Sequence, residues 1–221
     1  MKHIASVSMG KDSVAMLWVI LHHRNEYPLD EVIFYDTGME FQETYLIRDK
    51  VKILCSEFNI KYTELHPRES FLYKMLYYKH KTRKDETKVG YGWCGGCCRW
   101  GTTEKVRTID KYCKDAIQYI GIAYDEKERY ERLSKNKISP LYDYKLTEKD
   151  CMGIALSMGM LNPLYIYLKR VSCWCCRNKN LKELKAYKQF LPKYYYMLIE
   201  LEKEIGEPMK PPYTLTERLG D

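Results

Sequence analysis

The sequence predicts an α/β fold: a doubly wound, mainly parallel sheet with helices on both faces, plus a helical, cysteine-rich C-terminal extension. Three observations predict it. Short β-branched runs alternate with amphipathic stretches as far as Ala123, the pattern of successive βαβ units. A glycine turn, "SMGKDS", separates the first such run from the first helical stretch. After Pro140 helical spacing takes over and a second cysteine cluster follows.

The elements follow in chain order. "HIASVS" is a short β-rich run and "DSVAMLWVILHH" has apolar residues at helical spacing. "EVIFYDTG" is a second β-branched run, closed by Asp-Thr-Gly. "FQETYLIRDKVKILCSEFN" reads as an amphipathic helix offering Tyr45, Leu46, Val51, Leu54 and Phe58 to one face. "KYTELH" is a third strand and "RESFLYKMLYYKH" a third helix, followed by a charged loop over residues 79–88. "GTTEKVRTIDKYCK" reads as a capped helix and "AIQYIGIA" as a fourth strand. "LTEKDCMGIALSMGM" is helical, with Thr147 as N-cap and acidic residues from Glu148 to Asp150 suited to the first turn. Residues 181–205 are helical with a break at Pro192. The domain division expected from this pattern is an α/β domain over residues 1–145, with a cysteine-containing insertion at about 80–103, and a helical extension over 146–221 packed on it.

The bulk properties bound the function. A chain of 221 residues buries a core without covalent staples. It has no apolar run of membrane-spanning length, and Lys11 and Asp12 interrupt its first apolar stretch. A cytoplasmic chain with no membrane partner is therefore expected, its nine cysteines starting as thiols. The formal charge of +7 suits a nucleotide, and equally a nucleic acid.

The opening turn holds the parts of a phosphate cradle. Gly10 permits close backbone approach, Ser8 and Ser13 can donate hydrogen bonds, and Lys11 can supply charge. Asp12 can hold magnesium or cap the helix, whose N-terminus favours an anion. The spacing is not that of a Walker A loop. "YDTGMEFQET" and "GIAYDEKER" also follow strands, so three polar loops are expected at the carboxyl edge of the sheet, where open α/β sheets bind ligands.

These segments carry a resemblance. "SMGKDS" resembles the pyrophosphate-binding loop of the adenine nucleotide alpha-hydrolase-like (PP-loop) superfamily, usually Ser-Gly-Gly-x-Asp-Ser. "FYDTGMEFQET", "YIGIAYDEKER" and "PLYDYKLTEKDC" are similar to segments of the phosphoadenosine phosphosulfate (PAPS) reductase family. The resemblance implies that Ser8, Gly10, Lys11, Asp12 and Ser13 hold phosphates. It places Asp36, Thr37 and Gly38 by the nucleoside, Glu40 and Glu43 nearby, and Arg99 and Arg129 as candidates for an anionic tail. The nucleotide implied is ATP or PAPS (or adenylyl sulfate) with Mg2+, and Lys11, Asp12 and Asp36 are the candidate catalytic residues.

Six cysteines fall in two short runs: Cys94, Cys97 and Cys98 in "WCGGCC", and Cys173, Cys175 and Cys176 in "CWCC". Each run contains a Cys-x-x-Cys, which sets two thiolates close enough to share a metal. Zinc fits either pair, an iron–sulfur cluster uses four thiolates, and a redox dithiol is a further reading. Adjacent Cys97 and Cys98 with Cys173 and Cys176 are similar to the arrangement in iron–sulfur adenylyl sulfate reductases. That resemblance favours a four-iron cluster, with Zn2+ as the alternative. Sulfonucleotide reductases also carry a C-terminal nucleophile in a Glu-Cys-Gly-x-His segment, and here no cysteine follows Cys176.

The leading expectation is an adenylating sulfur transferase acting on a tRNA or DNA acceptor with a separate sulfur donor. The alternatives are a sulfonucleotide reductase served by a thioredoxin-like electron donor, and a nucleotide- and metal-binding interaction module without turnover. Residues 73–88 mix lysine and arginine with tyrosine, a composition that grips phosphates and stacks bases, or that merely solvates a helix end and loop.

Overall fold

The computed structural model describes residues 1–96, 98 and 102–220. In chain order the elements are β1 (Lys2–Ser6), α1 (Lys11–His22), β2 (Glu31–Tyr35), α2 (Gln42–Glu57), β3 (Lys61–Leu65) and α3 (Phe71–Leu76). A hairpin of β4 (Lys79–Lys81) and β5 (Thr87–Val89) leads to α4 (Thr102–Tyr112), β6 (Ala116–Ile120), α5 (Lys127–Tyr130), β7 (Lys137–Ile138) and α6 (Pro140–Asp143). Then come α7 (Glu148–Ser157), a 3-10 turn at Pro163–Ile166, α8 (Leu181–Phe190), α9 (Pro192–Ile205) and α10 (Leu215–Leu219). They form two compact units, one of Met1–Asp36, Phe41–Leu65 and Arg107–Pro163, the other of Thr37–Glu40, His66–Val106 and Leu164–Asp221.

The first unit is built on a parallel sheet of order β3-β2-β1-β6-β7. The chain steps outward from β1 through β2 to β3, then returns to the other side of β1 with β6 and β7. That reversal puts a crevice between the carboxyl ends of β1 and β6. All five residues of β2 are buried, so helices cover both faces of the sheet. On α1, Val14, Ala15, Met16, Leu17, Val19 and Ile20 are buried, and the helix packs on α7 and α6. Ile4, Ile33, Cys113 and Ala116 form a smaller cluster that Ile109 of α4 covers.

The buried face of α2 is Thr44, Ile47, Val51 and Cys55, while Leu46 and Phe58 are 54% and 38% exposed. The expected face was therefore wrong for these two residues. The true stripe also runs at helical spacing, but half of it is threonine and cysteine, which carry little weight in an apolar pattern.

In the second unit, α3 is shorter than expected and the segment after it is a hairpin rather than a loop. Ser70 starts α3 by accepting the Tyr73 amide at 3.1 Å. Its C-terminal carbonyls are taken by the returning chain, with the Tyr91 amide on Lys74 and the Gly92 amide on Met75, both at 3.0 Å. The hairpin closes through Thr82 and Asp85, the latter in a left-handed conformation with φ 59°. The helices α8 and α9 bury Leu184, Tyr187, Tyr194, Tyr195 and Leu198. Glu202, buried, ties the C-terminal segment to them by accepting the amides of Met209 at 2.7 Å and Leu215 at 2.9 Å. The break at Pro192 is as expected, with proline in the first turn of α9, where no intrahelical N–H is needed.

Candidate functional site

The turn between β1 and α1 is latched by one hydroxyl. Ser13 Oγ donates to the Gly10 carbonyl at 2.9 Å and accepts the Ser8 amide at 3.1 Å, with Ser8 Oγ 3.3 Å away. The first amides of α1 have no intrahelical carbonyl to bond, and the positive end of the helix lies at this mouth. Gly10 has φ −84° and ψ 162°, which any residue adopts. The left-handed residue is Met9, φ 62° and buried. Its position is glycine in the pattern the turn resembles, and glycine is the residue that adopts a left-handed conformation at least cost.

Lys11 is buried and sits between two carboxylates, 2.6 Å from Asp12 Oδ1 and 3.1 Å from Glu148 Oε1. Burial works to lower the lysine pKa, but the hydrogen bonds and charges of Asp12 and Glu148 outweigh it and hold it above the ordinary value. Burial likewise raises the Asp12 carboxyl, with Lys11 opposing. Behind this pair lies Cys151, buried, its thiol pushed up to about 12 by burial and then by the Asp12 charge. Glu148 is the first residue of α7, whose N-cap is Thr147 as expected, with Thr147 also closing a capping box with Asp150. Asp125, from the loop after β6, accepts the Glu148 amide at 3.0 Å. Thus three segments, the β1–α1 turn, the β6 loop and the start of α7, meet at Lys11.

Gly121 sets how closely they meet. A Cβ there would lie 2.9 Å from the carbonyl carbon and oxygen of Asp12 and from Ser13 Cα. Only a glycine admits this contact. Asp36, at the end of the adjacent strand β2, is buried and accepts the Tyr45 hydroxyl at 2.9 Å. Asp12 and Asp36 are hard oxygen donors beyond neighbouring strands, the donor type that magnesium takes. One carboxylate oxygen of Glu43, in the first turn of α2, is buried with no hydrogen-bond partner. Arg129 lies on α5, half exposed, and pairs with Glu126.

In the second unit, Thr37 donates to Glu40 at 3.0 Å, accepts the Met39 amide at 3.2 Å, and lies 3.6 Å from Cys173 Sγ. Gly38 has φ 74°, and the Met39 carbonyl accepts the Trp174 amide at 3.0 Å. The Asp-Thr-Gly turn is thereby stitched to the second cysteine run. The two cysteine runs are clamped together by Asn178, which donates to the Gly96 carbonyl at 2.7 Å and accepts the Gly96 amide at 3.0 Å. Cys175 is buried and Cys94, Cys98, Cys173 and Cys176 are half-buried. Burial pushes the Cys173 thiol up to about 12, with Glu40 adding. Burial also holds the Cys175 thiol well above the ordinary range, and the sulfurs of Cys173, Cys176 and Cys98 reinforce this. Lys179, buried nearby, donates to the Arg170 carbonyl at 3.0 Å and to Ser172 Oγ at 3.1 Å.

Thiols held this way stay protonated until a cation arrives, and a coordinating metal deprotonates them outright. The donor set fits a soft or borderline metal in kind and number. Among the described residues no three Cys, His, Asp or Glu side chains stand as a closed ligand set. Cys97 and Arg99 lie outside the described residues. Sequence reading missed Glu148 as the partner of Lys11, Met9 as the left-handed residue, and Asn178 as the clamp. Met9 alone left a signal, as a departure from the glycine pattern.

Comparison with solved structures places the fold beside the U34-tRNA thiolase NcsA from Methanococcus maripaludis, solved with its [4Fe-4S] cluster. The TM-score is 0.52 at 15% identity, covering 100% of this chain and 76% of that one. Two uncharacterized proteins of Methanocaldococcus jannaschii are related in sequence. MJ0973 is 22% identical over 192 residues, 80% of this chain, and MJ0066 is 24% identical over 219 residues, 92% of this chain. The chain spans 42% of the length of each. The sequence pattern of the phosphoadenosine phosphosulfate reductase domain matches residues 2–152, the span that carries the sheet, the phosphate-type turn and the Asp-Thr-Gly segment. The chain belongs to the phosphoadenosine phosphosulfate reductase domain family.

Proposed function

We propose that this chain is an enzyme of nucleotide-dependent sulfur chemistry: it binds ATP at the β1–α1 turn, directs cleavage between the α and β phosphates, and serves sulfur transfer to the adenylated acceptor. The observation that carries the reading is the Ser13-latched turn at the switch point of the sheet, in a chain of this family. An acceptor oxygen attacks the α-phosphorus, the bond to the β-bridging oxygen breaks, and pyrophosphate leaves. A sulfide-level sulfur then takes the place of that oxygen, which departs with AMP. In this reading the helix N-terminus and Lys11 hold the phosphates, and arrival of the nucleotide exchanges part of the Lys11 contact with Asp12 and Glu148 for phosphate oxygens. Asp12 and Asp36 would hold magnesium, which offsets charge on the departing pyrophosphate. Thr37 and Gly38 would border the nucleoside.

Cys94, Cys97, Cys98, Cys173, Cys175 and Cys176 are the residues from which four would hold a four-iron cluster, with zinc as the alternative. The cluster named for the thiolase of similar fold supports the first choice. A cluster bound there would supply an iron site able to take a sulfur ligand or an electron. The chain's own part is to keep the two runs together through Asn178 and to shield Cys175 from water.

Calorimetry with ATP on the intact chain and on Gly10→Val tests the nucleotide site; heat from the first and not the second is expected, and equal heats would overturn it. ATP-dependent pyrophosphate release that needs added RNA or DNA is the expected reaction. Sulfite release from PAPS with thioredoxin would replace it by sulfonucleotide reduction. Nucleotide binding without either would leave an interaction module. Metal analysis with an absorption spectrum on anaerobic protein decides between iron–sulfur and zinc.

A further inference from the structure

The β4–β5 hairpin and the tyrosines at its base take no part in that chemistry, yet they are built with care. The arm is anchored at one point. Gly90, φ 70°, lies so close to α3 that a Cβ would sit 2.5 Å from the Met75 carbonyl oxygen and 2.7 Å from that of Leu76. Its amide bonds the Tyr78 carbonyl at 2.9 Å. A two-stranded hairpin is marginal alone; this one is held by backbone bonds to a helix end and by a ring stack. Tyr91 stacks on His80 at 4.2 Å and on Tyr78 at 5.6 Å.

The register sorts the side chains. His80 pairs with Lys88, while Lys79 pairs with Val89 and Lys81 with Thr87 on the opposite face. The turn between them adds Arg83 and Lys84, both exposed. The negative charges of the turn are Asp85, which pairs with Lys81 at 2.8 Å, and Glu86. Around the base, Tyr73, Tyr77 and Tyr91 keep 44%, 56% and 41% of their surface exposed. Lysines alone on a short edge are an ordinary guard against strand addition. That role gives no reason for three exposed phenol rings beside them. Partly exposed rings at the base of a lysine-rich arm are what a single-stranded nucleic acid uses: the rings stack bases and the cations track phosphates. An acidic peptide would use the cations and leave the rings idle.

We propose that the β4–β5 hairpin and the adjoining Tyr77 and Tyr91 bind a single-stranded segment of RNA or DNA. This deepens the sulfur-transfer reading by giving its nucleic-acid acceptor a binding surface and a single-stranded form, but the binding itself needs neither ATP nor metal. The test is fluorescence anisotropy with a labelled 20-nucleotide single strand, as RNA and as DNA, from about 50 to 200 mM salt without nucleotide. Lys79→Gln/Lys81→Gln/Lys88→Gln should make the slope of log affinity against log salt shallower by about 2. Tyr77→Ala and Tyr91→Leu should each weaken binding at least about fivefold at every salt, with the slope unchanged. Thermal melting of each variant within a degree or two of the parent confirms that the arm, not the fold, was altered; for Tyr91, which also supports the stack, Tyr77→Ala carries the test if melting falls. Absence of binding by the parent chain at about 50 mM salt, or variants that bind as the parent does, overturns the proposal. So does displacement of the strand by polyglutamate at equal charge, which would assign the arm to an acidic protein. ATP heat measured on the same samples separates failure here from failure of the nucleotide site.

Discussion

Gly121→Ala tests whether the crevice between β1 and β6 is as tightly specified as the geometry implies. The added methyl would sit 2.9 Å from three backbone atoms, the Asp12 carbonyl carbon and oxygen and Ser13 Cα. Ordinary contact begins near 3.4 Å, so strand and helix must part by about half an ångström. No flexible side chain can yield, because the obstructing atoms are the first turn of α1. That helix is itself fixed by Val14, Ala15, Met16 and Leu17, each fully buried. Overpacking of this kind costs about 1–3 kcal/mol. For a chain of this size each kcal/mol lowers the melting temperature by about 2–4 °C, so a fall of about 2–12 °C is expected. The same displacement moves the helix N-terminus against any bound phosphate. Loss of one charge-assisted hydrogen bond is worth about 1.5–3 kcal/mol, so ATP affinity should fall at least tenfold by calorimetry. Gly153→Ala is the control. Gly153 lies exposed within α7 with nothing within 4 Å of a new Cβ, and the change should stabilise by about 1 kcal/mol. If Gly121→Ala melts with the parent and binds ATP with the same heat, the close approach does not shape the site and the argument from it fails.

Glu31 gives a pH prediction. It is fully buried, accepts Tyr112 at 2.7 Å and Lys61 at 3.0 Å, and also bonds Lys2 and Thr63. Burial alone would raise its carboxyl, but these partners lower it to about 2. A folded value below the unfolded one means stability that is present above about pH 4.5 and lost as pH falls toward 2. Glu31→Gln should cost about 2–3 kcal/mol at pH 7 in urea unfolding, and the gap to the parent should narrow at pH 3; a constant gap would assign the cost to packing. Asn178→Ala removes both bonds to Gly96, and iron or zinc retained after anaerobic purification should drop well below the parent's. Unchanged metal content would show that the two cysteine runs find each other without the clamp. Cys175→Ser and Cys94→Ser, compared by the same metal analysis, should separate ligands from bystanders: a ligand variant loses most of the metal and a bystander variant keeps it.

How much of this was legible in the sequence depends on the range of the interaction. Four strands, β1, β2, β3 and β6, read correctly because each is a short β-favouring run between polar loops, and β2, buried at all five positions, is the most apolar; the two-residue β7 was too short to leave such a run. The N-cap of α7 and the start of α9 read correctly because Thr147 and Pro192 act within one turn. The face of α2 was misread because Thr44 and Cys55 fill apolar positions. The hairpin was hidden because its three-residue strands are lysine-rich, which describes an exposed arm as well as a loop. The Lys11–Glu148 contact spans 137 residues of chain and follows only from the packing of α1 on α7.

Met9 shows the limit from the other side. A non-glycine residue at φ 62° costs of order 1 kcal/mol. Glycine would remove that cost, yet it would also empty the space that the Met9 side chain fills, buried to 1% exposure in the main core with Val7 and Val14. Truncating a buried methionine costs about 2–5 kcal/mol, more than the strain it would relieve. The core, rather than a glycine, therefore holds the turn in its left-handed conformation. In the proposed phosphate site the shape of the turn matters more than the residue that adopts it, because the amides and the Ser13 latch would make the cradle. A pattern search keyed to glycine would score this position as a defect; the packing makes it an alternative way of stabilising the same turn.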